Sequence, residues 1–312
     1  LQKLNFKITI NPYSFMNRKL LFSLLAALGT VVSVKAQRHE LGVRLGMSNL
    51  VGDIGKTNYL LQEPLDLSRA SDWGVPFYGG LLYRFNFNPY QTIRLDLGYN
   101  QIQFSDKVAK EDYRRHRNAY GKNDVYEGSL VFEYNFFPVN NEQISMVSPY
   151  IFGGIGALVY DAPKATLNHD FRRDADGVAQ APINELDFVT TAQYSTGTKT
   201  TVHIPFGVGL KYKFNHNWGI FAEATFRYTL TDQLDYSKIL SKDVRSNYNA
   251  DIKDPATNGS LLQSGAYYVV SKEREAEFTK GRNVGDTESR DWINTVSLGL
   301  TYSFGRPPCY CD

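Results

Sequence analysis

Residues 218–229 alternate without a break. Trp218, Ile220, Ala222, Ala224, Phe226 and Tyr228 are apolar or aromatic. The interleaved Gly219, Phe221, Glu223, Thr225, Arg227 and Thr229 are mostly polar and carry two opposite charges. Successive side chains of a strand point to opposite faces, so this stretch has one apolar and one polar face. In a soluble sandwich the apolar face turns to a core. In a membrane barrel it turns to lipid, and the charges turn to a lumen. The rest of the chain decides between the two.

Alternation of this kind marks eight stretches: 40–47, 75–85, 92–101, 124–136, 149–160, 201–214, 218–230 and 294–304. Most match the roughly 9–11 residues that cross a bilayer at a tilt, or run slightly longer. Their connections alternate too. Residues 48–74, 102–123, 161–200 and 231–293 are long, while NFNPYQ after the second stretch, 137–148 after the fourth and NHN after the sixth are short. In an up-and-down barrel every second connection emerges on the same side, so this pattern gives one end turns and the other end loops. A sandwich has no physical reason for it. The expectation is an all-β fold: an eight-stranded antiparallel transmembrane β-barrel of the outer-membrane type, with short periplasmic turns and long extracellular loops.

The N-terminal part agrees. MNRKLLFSLLAALGTVVSVKAQ has a basic start, an apolar run and small residues before Gln37, the layout of a secretory signal peptide. Its apolar run is short for a spanning helix. Residues 1–36 read as an upstream extension plus signal peptide cleaved after Ala36, and 37–312 as the barrel with a short periplasmic C-terminal tail. The composition, with 21 Tyr, 19 Phe and 25 Gly against 2 Cys, fits aromatic girdles better than a disulfide-stapled domain. A formal net charge of +2 leaves no nucleic-acid footprint.

The polar faces collect Arg44, Arg84, Arg94, Lys211, Lys213 and Arg227 against Glu40, Asp96, Glu127, Glu133 and Glu223. Eight strands leave an interior that side chains can fill, and buried charges are tolerated only when paired. The lumen therefore reads as a salt-bridged plug rather than a conduit. The fifth stretch, PYIFGGIGALVY, is apolar on both faces and receives no facing assignment.

Catalytic chemistry is sparse. His169 lies in NHDFRRDADG beside Asp170, Asp174 and Asp176, a pairing that could polarise water, though a solvated polar loop explains it as well. DADG lacks the full ligand spacing of a calcium loop. No nucleophile elbow, phosphate loop or zinc spacing is present, so no cofactor, small-molecule substrate or enzyme activity is expected. The chain runs past Phe304 into GRPPCYCD. Only the short turns, the N-terminal residues and the C-terminus can reach a periplasmic partner, so this tail is either inert or a docking segment, and Ile144, Met146, Val147, Pro307, Pro308, Cys309, Tyr310 and Cys311 are the docking candidates. Tyr310 is the foremost anchor among them, because aromatic side chains dominate interface energetics.

HELGVRLGMSNLVGDIG, YRFNFNPYQTIRLDLGYNQI, SPYIFGGIGALVY, IPFGVGLKYKFNHNWGIFAEATFRYTLTDQLD and DWINTVSLGLTYSF together resemble the PorG family, outer-membrane barrels of the Bacteroidetes type IX secretion system. The most telling pieces are SNLVGDIG, FNFNP, IPFGVG and RYTLTDQLD. The resemblance implies a non-enzymatic protein of the cell outer membrane. It implies that the protein ties the periplasmic ring, a lipoprotein and its partner subunit, to that membrane. The alternative is a generic structural barrel, or a surface adhesin acting through its long loops.

Overall fold

The computed structural model describes residues 38–55, 60, 74–140, 146–171, 188–215, 217–248, 266–286 and 288–304. Eight long strands form a closed ring: β1 (Arg38–Val51), β2 (Phe77–Asn86), β3 (Gln91–Ser105), β4 (Tyr120–Asn135), β5 (Met146–Phe171), β6 (Phe188–Lys213), β7 (Trp218–Thr229) and β9 (Trp292–Phe304). Every neighbouring pair is antiparallel, with β1 pairing β9 and β4 pairing β5 to close the circle. A short β8 (Val244–Tyr248) stands outside the ring and pairs parallel with β5. Two helices, α1 (Asp112–Arg117) and α2 (Ala266–Arg282), lie in the long connections.

The pairing register sets the barrel's dimensions. From His39 the row of partners runs through Phe85, Ile93, Phe132, Gly153, Phe206, Phe226 and Asn294 back to β1 at Asn49. The row returns displaced by 49 − 39 = 10 residues. With strands ~4.8 Å apart and ~3.3 Å of rise per residue, this stagger tilts the strands by about 41° and gives a radius of about 8 Å. Each residue then advances about 2.5 Å along the barrel axis.

Burial along β7 answers the question its sequence raises. Phe221, Glu223, Thr225, Arg227 and Thr229 are buried, while Trp218, Ile220 and Ala222 are exposed. The exposed set throughout the ring is aliphatic in the middle, with Leu45, Leu81, Leu95, Leu97, Leu130, Val208 and Leu298 all more than two-fifths exposed. Aromatic rings border it on both sides. One border holds Tyr134, Phe136, Tyr212, Trp218 and Tyr302, and the other Phe77, Tyr99, Tyr126, Tyr228 and Trp292. Trp218 to Tyr228 is ten residues, or ~25 Å along the axis, the height of a lipid-facing band between aromatic girdles. The interior carries the charge and the exterior the hydrocarbon, the reverse of a soluble protein.

The fifth strand resolves here. Pro149, Ile151, Gly153, Ile155 and Ala157 face outward and are exposed, while Tyr150, Phe152, Leu158 and Tyr160 are buried inside. Of these inward residues, Tyr150 and Phe152 present ring faces to lumen cations, while Leu158 and Tyr160 join an apolar cluster nearer the extracellular end.

Two of the expected long loops are different from the sequence reading. Instead of ending near 160 and restarting near 201, β5 and β6 stay paired from Met146↔Lys213 to Phe171↔Phe188. Each has 26 residues, whereas about ten suffice to span the band at this tilt. More than half of the hairpin therefore stands beyond the membrane. The alternation signal fades there because lipid no longer demands an apolar face, and Thr-rich β-branched sequence carries the strand instead. The connection 231–293 contains β8 and α2. On its way it buries Leu234 with Leu50, Ile54, Ile102, Phe104, Val125, Leu158, Tyr160, Ala162 and Ile293, an apolar seal over the extracellular mouth.

Candidate functional site

The lumen is filled by one connected set of ion pairs. Glu223 accepts from Arg44 Nη1 at 2.7 Å, Arg94 Nη1 at 2.6 Å, Tyr150 Oη at 2.8 Å and Thr225 Oγ1 at 2.7 Å. Glu133 accepts from Arg84 Nε at 3.0 Å, Arg94 Nη1 at 2.5 Å and Lys211 Nζ at 2.5 Å. Asp96 pairs with Arg94 Nε at 2.9 Å and Arg44 Nη2 at 3.3 Å. Higher in the barrel, Glu127 holds Arg227, whose Nη2 donates at 2.8 Å, and also accepts from Tyr78 Oη at 3.1 Å. Glu40 reaches Arg84 at 3.6 Å. The arginines of this set are at most 1 % exposed.

Aromatic faces cover the cations where carboxylates do not. Arg44 and Arg227 each lie 5.0 Å from the Tyr78 ring, Arg84 4.6 Å from Phe221, Arg94 4.6 Å from Phe152, and Lys211 Nζ 4.7 Å from Tyr150. Such contacts are worth most where water is excluded. They need room: a Cβ on Gly209 would come within 2.3 Å of Tyr150, and one on Gly299 within 2.2 Å of Phe221. The sequence reading missed these aromatic partners. The signal was present in the doubly apolar fifth stretch, but an apolar inward face cannot be told from a second lipid face by periodicity alone.

The periplasmic mouth is closed by the turn after β4. Val139 and Asn140 are buried beneath the barrel, where Asn140 Nδ2 lies 3.3 Å from Thr92 Oγ1. They leave a cleft of about 20 Å³ beside Lys211, Lys213, Glu40 and Phe221, room for a single water. Phe137 in the same turn remains half exposed. Of the docking candidates, Met146 and Val147 begin β5, paired with Lys213 and Tyr212. Val147 lies on the exposed, lipid-facing set rather than on a periplasmic turn, because β5 starts three residues earlier than its alternation suggested. Ile144, Pro307, Pro308, Cys309, Tyr310 and Cys311 lie outside the described residues.

Above the membrane the three stretches SNLVGDIG, TDQLD and DWINTV meet. Asp235 Oδ2 accepts from the amides of Asp53 at 2.7 Å and Ile54 at 2.9 Å, and its Oδ1 from Ser237 at 2.9 Å. Asp291 Oδ2 accepts from the Leu234 amide at 2.9 Å. These carboxylates staple the post-β1 turn to the segment that seals the mouth. Burial, reinforced by the neighbouring carboxylates, holds the Asp291 carboxyl well above its usual range. Asp232 is pushed up to about 6 by burial, then by Asp235 and Asp53, against the opposing Lys238. Among the described residues, no three His, Cys, Asp or Glu side chains converge to hold a metal ion.

His169 sits within β5, fully buried, with Nε2 3.2 Å from Ser246 Oγ of β8. Asp174 and Asp176 lie outside the described residues.

A closed β-barrel satisfies every backbone group between strands, so it can span a bilayer, and here its exterior is the surface lipid requires. The protein is an outer-membrane β-barrel. Residues 18–183 match the family described as a domain of unknown function, DUF6089. That is 183 − 18 + 1 = 166 of 312 residues, more than half of the chain.

The chain belongs to the DUF6089 family.

No curated protein matches this DUF6089 chain. Among solved structures it is similar to Ail, the attachment invasion locus protein of Yersinia pestis, at 11% identity and a TM-score of 0.35, covering 86% of this chain and 99% of Ail. It is also similar to the N-terminal barrel domain of Pseudomonas aeruginosa OprF, at 12% identity and TM-score 0.33 over 86% and 99% of the two chains. OprG of the same organism gives 10% and 0.34, over 87% and 98%.

Proposed function

We propose that this DUF6089 protein is a non-enzymatic structural component of the type IX secretion system that anchors the periplasmic ring, the lipoprotein and its partner subunit, to the outer membrane. The observation that carries a structural role is the filled lumen. Ion pairs occupy its middle, apolar side chains seal one mouth and Val139 and Asn140 occupy the other, so the protein works through its surfaces rather than through a pore. The secretion-system assignment is supported by the PorG-like stretches of the sequence. The described periplasmic surface offered to a ring subunit is the turn around Phe137, and residues 305–312, outside the described residues, remain the second docking candidate from the sequence.

The test pairs a deletion of residues 306–312 with Phe137→Ala and Met146→Ala. The variant is expected to insert normally and to remain heat-modifiable on a gel, yet to lose co-purification of the ring subunits and secretion of cargo. In a planar bilayer the isolated protein is expected to show no steady conductance. Undiminished pull-down and secretion would remove the anchoring role. Reproducible channel steps would remove the plug on which the structural reading rests. A second reading, a surface adhesin, is favoured by how much ordered chain stands outside the membrane, and it would lead if the ring subunits bind the variant normally.

A further inference from the structure

Among the described residues, the projecting β5–β6 hairpin is covered by a strand on one edge and left unpaired on the other. On the β5 side, β8 adds a parallel strand along Ala165–His169. On the β6 side, pairing with β7 ends at His203↔Thr229, followed by one bond from the Leu230 amide to the Val202 carbonyl. Among the described residues no strand pairs with this side of β6 above Val202.

That last bond fixes which main-chain groups face the open edge. In an antiparallel strand the N–H and C=O of one residue point to the same neighbour, and successive residues alternate between neighbours. Val202 points to β7, so the even-numbered residues above it point the same way. The register with β5 runs unbroken through this region, from Val159↔Thr200 to Phe171↔Phe188, so no bulge reverses the parity. Thr196, Thr198 and Thr200 therefore turn their donors and acceptors outward, while Ser195, Gly197 and Lys199 bond to β5. All three threonines are exposed.

Proteins usually blunt such an edge with proline, bulges, charges or a covering element. From Thr190 to Thr201 there is no proline and a single charge, on Lys199. We infer that the outer edge of β6 is a docking site for an extended polypeptide of another protein, which adds to the hairpin as a further β-strand outside the cell. Main-chain hydrogen bonds hold it, and the exposed threonines favour β-branched or small polar neighbours of low charge. A second copy of this chain fits poorly. Two copies in one membrane run β6 in the same direction, so their edges meet parallel, in the less stable ladder. The inference stands independently of the secretion-system reading, since it concerns the opposite side of the membrane.

The test uses the full-length protein in lipid nanodiscs and a synthetic decapeptide with the sequence of residues 190–199, which is free to pair antiparallel. Amide exchange is followed residue by residue. Without peptide, Thr196, Thr198 and Thr200 are expected to exchange fast and Gly197 and Lys199 slowly. With peptide, the three threonine amides slow by at least about tenfold and the odd-numbered ones do not change. Thr198→Pro removes one outward donor without touching the β5 ladder and is expected to abolish the protection, whereas Thr198→Val retains it. Four results would each overturn the inference: threonine amides already slow in the peptide-free monomer, threonine amides slow only in a self-associated form, no alternating protection up to millimolar peptide, or equal binding by the proline variant.

Discussion

Replacing Leu95 by arginine tests the inverted packing most directly. Leu95 is 47 % exposed on β3, four residues below Tyr99 of the upper aromatic border. At about 2.5 Å of axial rise per residue it lies roughly 10 Å below that border, close to the middle of the ~25 Å band. Ile220 on β7 is equally exposed, at 47 %, but only two residues from Trp218, so about 5 Å from the lower border. A cation at the bilayer midplane of a barrel costs about 2–4 kcal/mol and near the interface about 0–1. Leu95→Arg is therefore expected to lower the folding equilibrium constant by roughly 30- to 1000-fold, and Ile220→Arg by less than about sixfold. Reversible urea titration of protein refolded into vesicles measures both. If Leu95→Arg costs less than about 0.5 kcal/mol, or the two variants cost the same, the exterior does not meet a depth-graded hydrocarbon layer. The stagger-based placement would then fail with it.

Glu133→Gln leaves the side chain's shape but strips the charge that faces Arg84, Arg94 and Lys211. With three buried cations short of a counterion, it is expected to destabilise by about 3–5 kcal/mol in the same titration, and a loss under about 1 kcal/mol would contradict the closed network. The extracellular cap should respond to pH through Asp232. Its folded pKa of about 6 lies above the ordinary carboxylate value, so folding favours the protonated form. The cap's stability is then fullest below about pH 4 and declines as pH rises through about 6. A carboxyl-carbon NMR titration should place the Asp232 midpoint near that value, and Asp232→Asn should flatten this part of the stability profile. A midpoint near 4 would show that the carboxylate is solvated rather than buried.

Alternation made most of the barrel legible. A period of two assigns each side chain of β3, β4, β7 and β9 to a face, because lipid imposes one chemistry on the outside and burial another on the inside. The long and short connections then follow from antiparallel order, and the group of inward charges from the same parity. Where both faces are apolar, as along Tyr150, Phe152 and Leu158, the period carries no information. Only the closed ring shows that these side chains face Arg94, Lys211 and the seal around Leu234. The reach of β5 and β6 beyond the membrane was hidden for the opposite reason: outside lipid neither face must be apolar, and the strand persists on its cross-strand hydrogen bonds. Pair identities also belong to the tertiary structure. Glu133 meets Arg84, Arg94 and Lys211, and Asp235 meets the amides of Asp53 and Ile54, because a ten-residue stagger brings those heights together. Local sequence determines which way a side chain points. The number of strands and their stagger determine what it finds there.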